Sequence, residues 1–453
     1  MTTVYTAKWV IPVSSSPIDN GAVAIDGERI AGIGTREVLF AEFPTATITD
    51  FGEAAILPGL INCHTHLELT AMRGFLEHEE GDFFAWLKKL TIARVERMTT
   101  DDLSVSATWG AIEAARAGIT CVADASDSAR ESMFALSAVG LRGIVYQESF
   151  GPDPKLAREN FDRLHEKITN LRELETDLLR LGVSPHAPYT VSGKQLEIIS
   201  QFALGESLPL MIHAAESEAE EMLMRNGSGI FADNLSRRGI EWKAPGLSTI
   251  RYLKEHGIMD TRPLLAHCIR VDEEDIEILR DSDARIAHCP KSNAKLGHGR
   301  APFAAFINHG VKTGIGSDSV ASNNSCDMLE EARFAALLSR ISGSENEDCM
   351  VSAEDVLHAA TFGGARALGL EEQVGALAVG MQADLAVVGL DGAHQQPVHD
   401  PIAAIVFASS GRDVRMTVVA GEEIYRDGHL TTLDERLLRV RINEIAGTMT
   451  DKI

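Results

Sequence analysis

The stretch "INCHTHLEL", residues 61–69, closes an apolar run that begins "ILPGL" at residue 56. It sets His64 and His66 one residue apart. On a strand, side chains i and i+2 share a side, so both imidazoles would face the same way, with Cys63 and Thr65 turned toward the opposite, helix-covered side. Alone, an H-x-H string fits two satisfied core histidines as well as it fits a pair of metal ligands. The surrounding chain has to decide.

Seven more apolar runs follow: "ITCVADA" (119–125), "GIVYQES" (143–149), "LGVSPHA" (181–187), "PLMIHAAE" (209–216), "PLLAHCI" (263–269), "ARIAHCP" (284–290) and "VKTGIGSD" (311–318). Amphipathic stretches such as "DDLSVSATWGAIEAARAG" and "KQLEIISQFALG" lie between them. Strands without strong alternation, each followed by a helix, predict a parallel sheet covered by helices. Eight such units predict an α/β fold, a (β/α)8 TIM-type barrel over 58–379. The ends of the chain read as β-structure: "AVAI" and "RIAGIG" around an Asp26-Gly27-Glu28 turn, then "ADLAVVGL", "AAIVFASS" and "RMTVVAGEEIYRDGHL". Residues 1–57 and 380–453 are therefore expected to form one small β-sandwich domain.

In such barrels the chemistry sits at the C-terminal ends of the strands. The first run ends in His64-x-His66, the fourth in His186, the fifth in His213, the sixth in His267, the seventh in His288 and the eighth in Asp318. Imidazoles from strands one and five with a carboxylate from strand eight can converge on one cation. That donor set suits Zn²⁺, with Fe²⁺ or Mn²⁺ as alternatives. Glu216 follows His213 at the same rim and is expected to carry protons. His288 is evenly balanced between core and function, and His298 and His309 read as surface or loop residues. Cys268 and Cys289 read as packing. The stretch "EHEEGD" (77–82) reads as a solvated loop. Among the aromatics of "GFLEHEEGDFFAWLKKL", Trp86 is the expected apolar wall for a ring, and Glu68 is expected to touch ribose hydroxyls or support a ligand histidine.

The net charge of −24 argues against nucleic acid or anionic membranes as partners. No apolar run reaches membrane-spanning length, and the start lacks a signal-peptide layout. Six scattered cysteines (63, 121, 268, 289, 326 and 349) with no C-x-x-C pair predict reduced thiols in a cytoplasmic protein.

"LPGLINCHTHLE", "SPHAPYTVS", "HAAES", "LLAHC", "HCPKSNAKLGHGRAP" and "GIGSDSVASNNSCDMLEEAR" together resemble the amidohydrolase superfamily, in its branch of aminated-heterocycle deaminases and triazine hydrolases. The resemblance covers nearly the whole chain. It implies His64, His66, His213 and Asp318 as ligands of one divalent ion. Catalysis would fall to Glu216, His267 and Asp318, and substrate contact to His186, Ser292 and Asn293. No lysine ends strand four, where binuclear members carry a modified one, which favours a single ion. Hydroxide would attack the amino-bearing carbon of the ring while Glu216 protonates the neighbouring nitrogen. The H-x-E deaminase class is excluded, because no P-C-x-x-C follows "HLE". The expected partner is a small-molecule substrate, and a homodimer is left open. The resemblance implies an adenine-type nucleoside, with 6-aminodeoxyfutalosine as the expected substrate. Methylthioadenosine and S-adenosylhomocysteine are the alternative, and a chlorotriazine is the reading from another class. A cation at the pocket mouth would favour a carboxylate on the 5′ group, with Arg73, Lys88 and Lys89 as candidates.

Overall fold

The computed structural model describes residues 2–341 and 350–450. Cys349 lies outside the described residues; the other five cysteines are free and buried. The chain opens with β1 (Thr3–Val10), β2 (Ile18–Asp26), β3 (Arg29–Thr35), β4 (Thr47–Asp50) and β5 (Ala54–Pro58). β2 and β3 pair antiparallel across Gly27, whose φ of +59° is the conformation glycine adopts at no steric cost.

All eight apolar runs become parallel strands: β6 (Leu60–Thr65), β7 (Ile119–Ser126), β8 (Arg142–Ser149), β9 (Leu179–Pro185), β10 (Met211–Ala214), β11 (Leu264–His267), β12 (Arg285–His288) and β13 (Lys312–Ile315). β6 to β9 form one four-stranded sheet and β10 to β13 another. One seam between them is bridged at Val183 and Leu210, with His213 N donating to the His186 carbonyl at 2.9 Å. At the other, Asp318 N donates to the His64 carbonyl at 2.8 Å. Alternate strand residues fall into two buried sets. Cys121, Tyr146, Met211, Leu264 and Ala287 meet inside the barrel. Val122, Val145, Ile212, Leu265 and Ile286 pack with the surrounding helices.

Alternation fails locally in β6, whose register against β7 shifts between Asn62 and Thr65. Cys63, expected on the helix-facing side, shares the inner cluster and donates to the Gly364 carbonyl, and Thr65 Oγ1 turns to the Asp318 carbonyl. The first run is also divided. Its opening residues belong to β5, in the terminal sheet, and Gly59 separates them from β6. A Cβ on Gly59 would stand 2.1 Å from Thr120 Oγ1, so this crossing admits no side chain.

β14 (Leu385–Gly389), β15 (Val414–Val419), β16 (Glu422–Arg426) and β17 (His429–Leu430) join β1 to β5 in one nine-stranded sheet, through an antiparallel β5–β14 pairing. Side chains of β1, β2 and β5 share a buried cluster with those of β14 and β15. "AAIVFASS" is not a strand. Asp400 accepts hydrogen bonds from Ile402 N and Ala403 N, Pro401 opens a turn of helix, and helical backbone runs on to Ala408 with Ile405 and Val406 buried. The capping side chain and the N-terminal proline override the β-propensity of the run. A C-terminal helix, Arg436–Thr450, follows the terminal strands and places Ile442, Ile445 and Met449 against Met72, Leu76 and Trp86.

One buried ion pair ties barrel to terminal sheet. Arg142, at the start of β8, donates to both oxygens of Asp384 at 2.9 and 3.1 Å, and Asp384 also accepts from Ala420 N. Removing the carboxylate strands a buried guanidinium, so Asp384→Ala should cost about 3–5 kcal/mol in urea denaturation, whereas the paired change Arg142→Met with Asp384→Leu should cost far less.

Candidate active site

The strand ends converge as expected. His64 is fully buried, with Nδ1 3.3 Å from Met211 Sδ and Nε2 lacking any hydrogen-bond partner. His213 Nδ1 donates to the His186 carbonyl at 2.8 Å, which leaves Nε2 with its lone pair. His66 Nε2 faces His213 Nε2 at 3.3 Å. Asp318 Oδ1 stands 3.4 Å from His64 Nε2 and 3.6 Å from His66 Nε2. Burial drives the His64 pKa down to about 4, lowers that of His66, and holds His213 well below the usual range. Burial opposes the ionisation of Asp318, but the His64 ring 3.4 Å away and the neighbouring His267 and His66 favour its anion and hold its pKa well below the carboxylate range. Neutral nitrogens with lone pairs facing one another beside an anion are a donor set that fits a divalent cation.

Neighbouring groups fix this geometry. Asn62 Oδ1 accepts from Ser317 N and His64 N, locking β6 to the end of β13. Asp124 Oδ1 accepts from Leu67 N at 2.7 Å and holds the chain just past His66. Ala215, His267, Cys268 and Asp318 have φ of +53°, +75°, +47° and +58°. Such left-handed non-glycine residues cost about 1–3 kcal/mol each and concentrate at functional sites.

Glu216 sits just before Ser217, the cap of the helix Glu218–Asn226, and its amide is held by Glu220 Oε2 at 2.8 Å. Its Oε2 accepts from Tyr189 OH at 3.2 Å, and its Oε1 lies 3.5 Å from His267 Nε2. His267 Nδ1 bonds Asn293 Oδ1 at 2.9 Å, so Nε2 is the nitrogen free to exchange a proton. Burial disfavours charge on His267, yet Glu216 and Asp318 outweigh it and raise its pKa.

Other expectations need correction. Ser292 and Asn293, expected at the substrate, lie behind the site and do not line the cavity. Ser292 donates to Asp318 Oδ2 at 2.5 Å, as Ser322 does at 2.9 Å, and Asn293 orients His267. His298, read as a surface or loop residue, is buried with Nε2 3.7 Å from Glu216 Oε1. His288 stacks on Phe303 away from the cavity. The "EHEEGD" stretch is exposed or half-buried throughout, as a solvated loop would be, and within it Glu77 and Glu80 pair with Lys295, Glu79 pairs with Lys89, and Asp82 caps the helix Phe83–Arg97.

Above the histidines lies a cavity of about 700 Å³, within the usual range for small-molecule sites. Trp86, Phe83, Tyr189 and Phe231 line it, with His186. Glu68 also lines it, but accepts from Arg94 Nε, Ser126 Oγ and Ser128 N. Arg73 is paired with Glu113, and Lys89 with Glu79; only Lys88 of the three expected cations lines the cavity. Arg237 and Arg238, which no sequence motif marks, line it as well.

The model of the Amidohydrolase family matches residues 55–424, and the chain belongs to that family. A 5-methylthioadenosine/S-adenosylhomocysteine deaminase of Syntrophobacter fumaroxidans is 34% identical over 433 residues, covering 95% of this chain and 94% of its own. Among solved structures, a zinc-bound adenosine deaminase from Xanthomonas campestris superposes with a TM-score of 0.84 at 26% identity, over 99% of this chain and 98% of its own. A zinc complex of atrazine chlorohydrolase from Arthrobacter aurescens gives 0.85 at 23% identity, over 98% and 100%, a likeness of fold alone. The chain is thus a metal-dependent hydrolase of C–N bonds.

Asp124 supplies a test of this buried environment. Burial pushes its pKa from 3.8 up to about 8, so the folded state favours its neutral form. Its contribution is therefore present at acid pH and lost as pH climbs from about 4 to 8. Asp124→Asn keeps an acceptor for Leu67 N and stays neutral. In chelator-treated protein, its stability relative to wild type should rise steadily across that window, read from denaturation midpoints.

Proposed function

We propose that this amidohydrolase hydrolytically deaminates an adenine-type nucleoside bearing a 5′ thioether, with His64, His66, His213 and Asp318 holding one divalent ion, Zn²⁺ by its donor set. The observation that carries this reading is the Glu216–His267 couple set 3.5 Å apart beside those four donors, on the floor of a cavity walled by aromatic rings. The name carried by the sequence relatives supports the thioether reading over 6-aminodeoxyfutalosine.

When bound, the ion supplies Lewis acidity that brings the pKa of water toward neutrality. His267 Nε2 takes a proton from the attacking water. Glu216 delivers one to the ring nitrogen beside the amino-bearing carbon, turning the ring into an electron sink. The carbon becomes tetrahedral, His267 returns its proton to the amino group, ammonia leaves, and the hydroxyl gives its proton to Glu216 as the carbonyl forms. Trp86 and Phe83 stand against the ring and exclude bulk water.

At the mouth, the charged groups of Lys88, Arg237 and Arg238 have no hydrogen-bond or ion-pair partner among the described residues. They would suit a carboxylate-bearing tail, which favours S-adenosylhomocysteine over methylthioadenosine.

Two measurements test this. Glu216→Gln should lower kcat by about 10²–10⁴-fold and keep the ion, whereas His64→Ala should lose the ion. Ammonia release should be fastest from S-adenosylhomocysteine. The double change Arg237→Ala with Arg238→Ala should cut kcat/KM for that substrate about tenfold, or about 1.4 kcal/mol, and leave methylthioadenosine nearly unaffected. A tenfold preference for 6-aminodeoxyfutalosine, or chloride release from a chlorotriazine outpacing deamination, would overturn the assignment.

A further inference from the structure

We infer that His298 is a positioning residue that aims the Glu216 carboxylate and links it to the helix covering the cavity. The inference rests on the proton-carrying role proposed for Glu216.

The turn after β12 presents two histidine functions at once. Asn293 holds His267 through its side chain, and its carbonyl accepts from His298 N at 2.9 Å. Gly297 and Gly299, at φ of +70° and +105°, flank His298 and let the chain turn its ring inward. That ring is 6% exposed. Its Nε2 is buried without a hydrogen bond and stands 3.7 Å from Glu216 Oε1, the oxygen that also faces His267. A buried polar nitrogen left unpaired costs free energy, and here its neighbour is the proton carrier. On its other side the ring packs edge to face with Phe83, centroids 4.4 Å apart. Phe83 belongs to the helix Phe83–Arg97, lines the cavity and stacks near Trp86.

The chemistry suits positioning. Burial lowers the pKa of His298, so it meets Glu216 as a neutral N–H donor. A lysine there would lock Glu216 as a carboxylate, whereas a neutral donor orients the group and leaves it able to gain and lose a proton. This is not a buried packing histidine alone, because packing requires a ring and not an N–H.

Three substitutions separate the roles. His298→Phe keeps the ring against Phe83 and removes the donor; His298→Gln keeps a donor at similar reach; His298→Ala removes both. Expected are kcat losses of about 10- to 100-fold for Phe and Ala, the usual worth of a supporting partner, with metal content unchanged, KM little moved, and substantial recovery in Gln. In a Glu216→Gln background, His298→Ala should add almost nothing, since the two act as one unit. Wild-type kcat in His298→Phe, or equal losses in both backgrounds, overturns the inference and leaves the deaminase reading standing. A crystal structure of His298→Ala gives a readout independent of turnover. A displaced Glu216 carboxylate supports the inference, an unmoved one overturns it, and ammonia release by the wild type decides the deaminase reading separately.

Discussion

Two backbone hydrogen bonds, His213 N to the His186 carbonyl and Asp318 N to the His64 carbonyl, help close this barrel where its two four-stranded sheets meet. Each bond joins residues whose side chains look into the cavity or onto the histidine cluster. Closing the barrel and assembling the donor set are therefore one event. A slip of one residue at either seam would turn an imidazole or a carboxylate away from the centre. Asn62 guards the second seam, since its side chain bonds backbone on both strands.

Desolvation then sets the charge state. Imidazoles taken out of water are held neutral, and neutral imidazole is the form that ligates a cation. His267 differs because two carboxylates face it, and it alone of the cluster gains basicity. The same strand ends thus yield two kinds of histidine, according to what each one faces.

The strand ends were legible in the sequence because each apolar run stops at a polar residue, and parallel strands expose only their last residues to the barrel mouth. His64, His66, His213, His267 and Asp318 could be read that way. His298 could not, since it lies in a glycine-rich turn without periodicity, and its burial depends on Phe83, more than two hundred residues earlier in the chain. Arg237 and Arg238 end a helix whose path over the cavity no local pattern reveals. "AAIVFASS" misled because its β-propensity is real but weaker than the Asp400-Pro401 start before it. Ser292 and Asn293 sat in the right segment, yet which way a short helix turns its side chains is fixed only once β12 and β13 are in place.

The left-handed backbone at His267 and Asp318 has an evolutionary consequence. Glycine is the residue that this conformation would select on stability grounds, and glycine would erase the side chains on which turnover depends. Selection for folding and selection for chemistry therefore pull in opposite directions at these two codons. In a lineage released from the need for the reaction, they are the positions where drift would lose the enzyme while improving the scaffold.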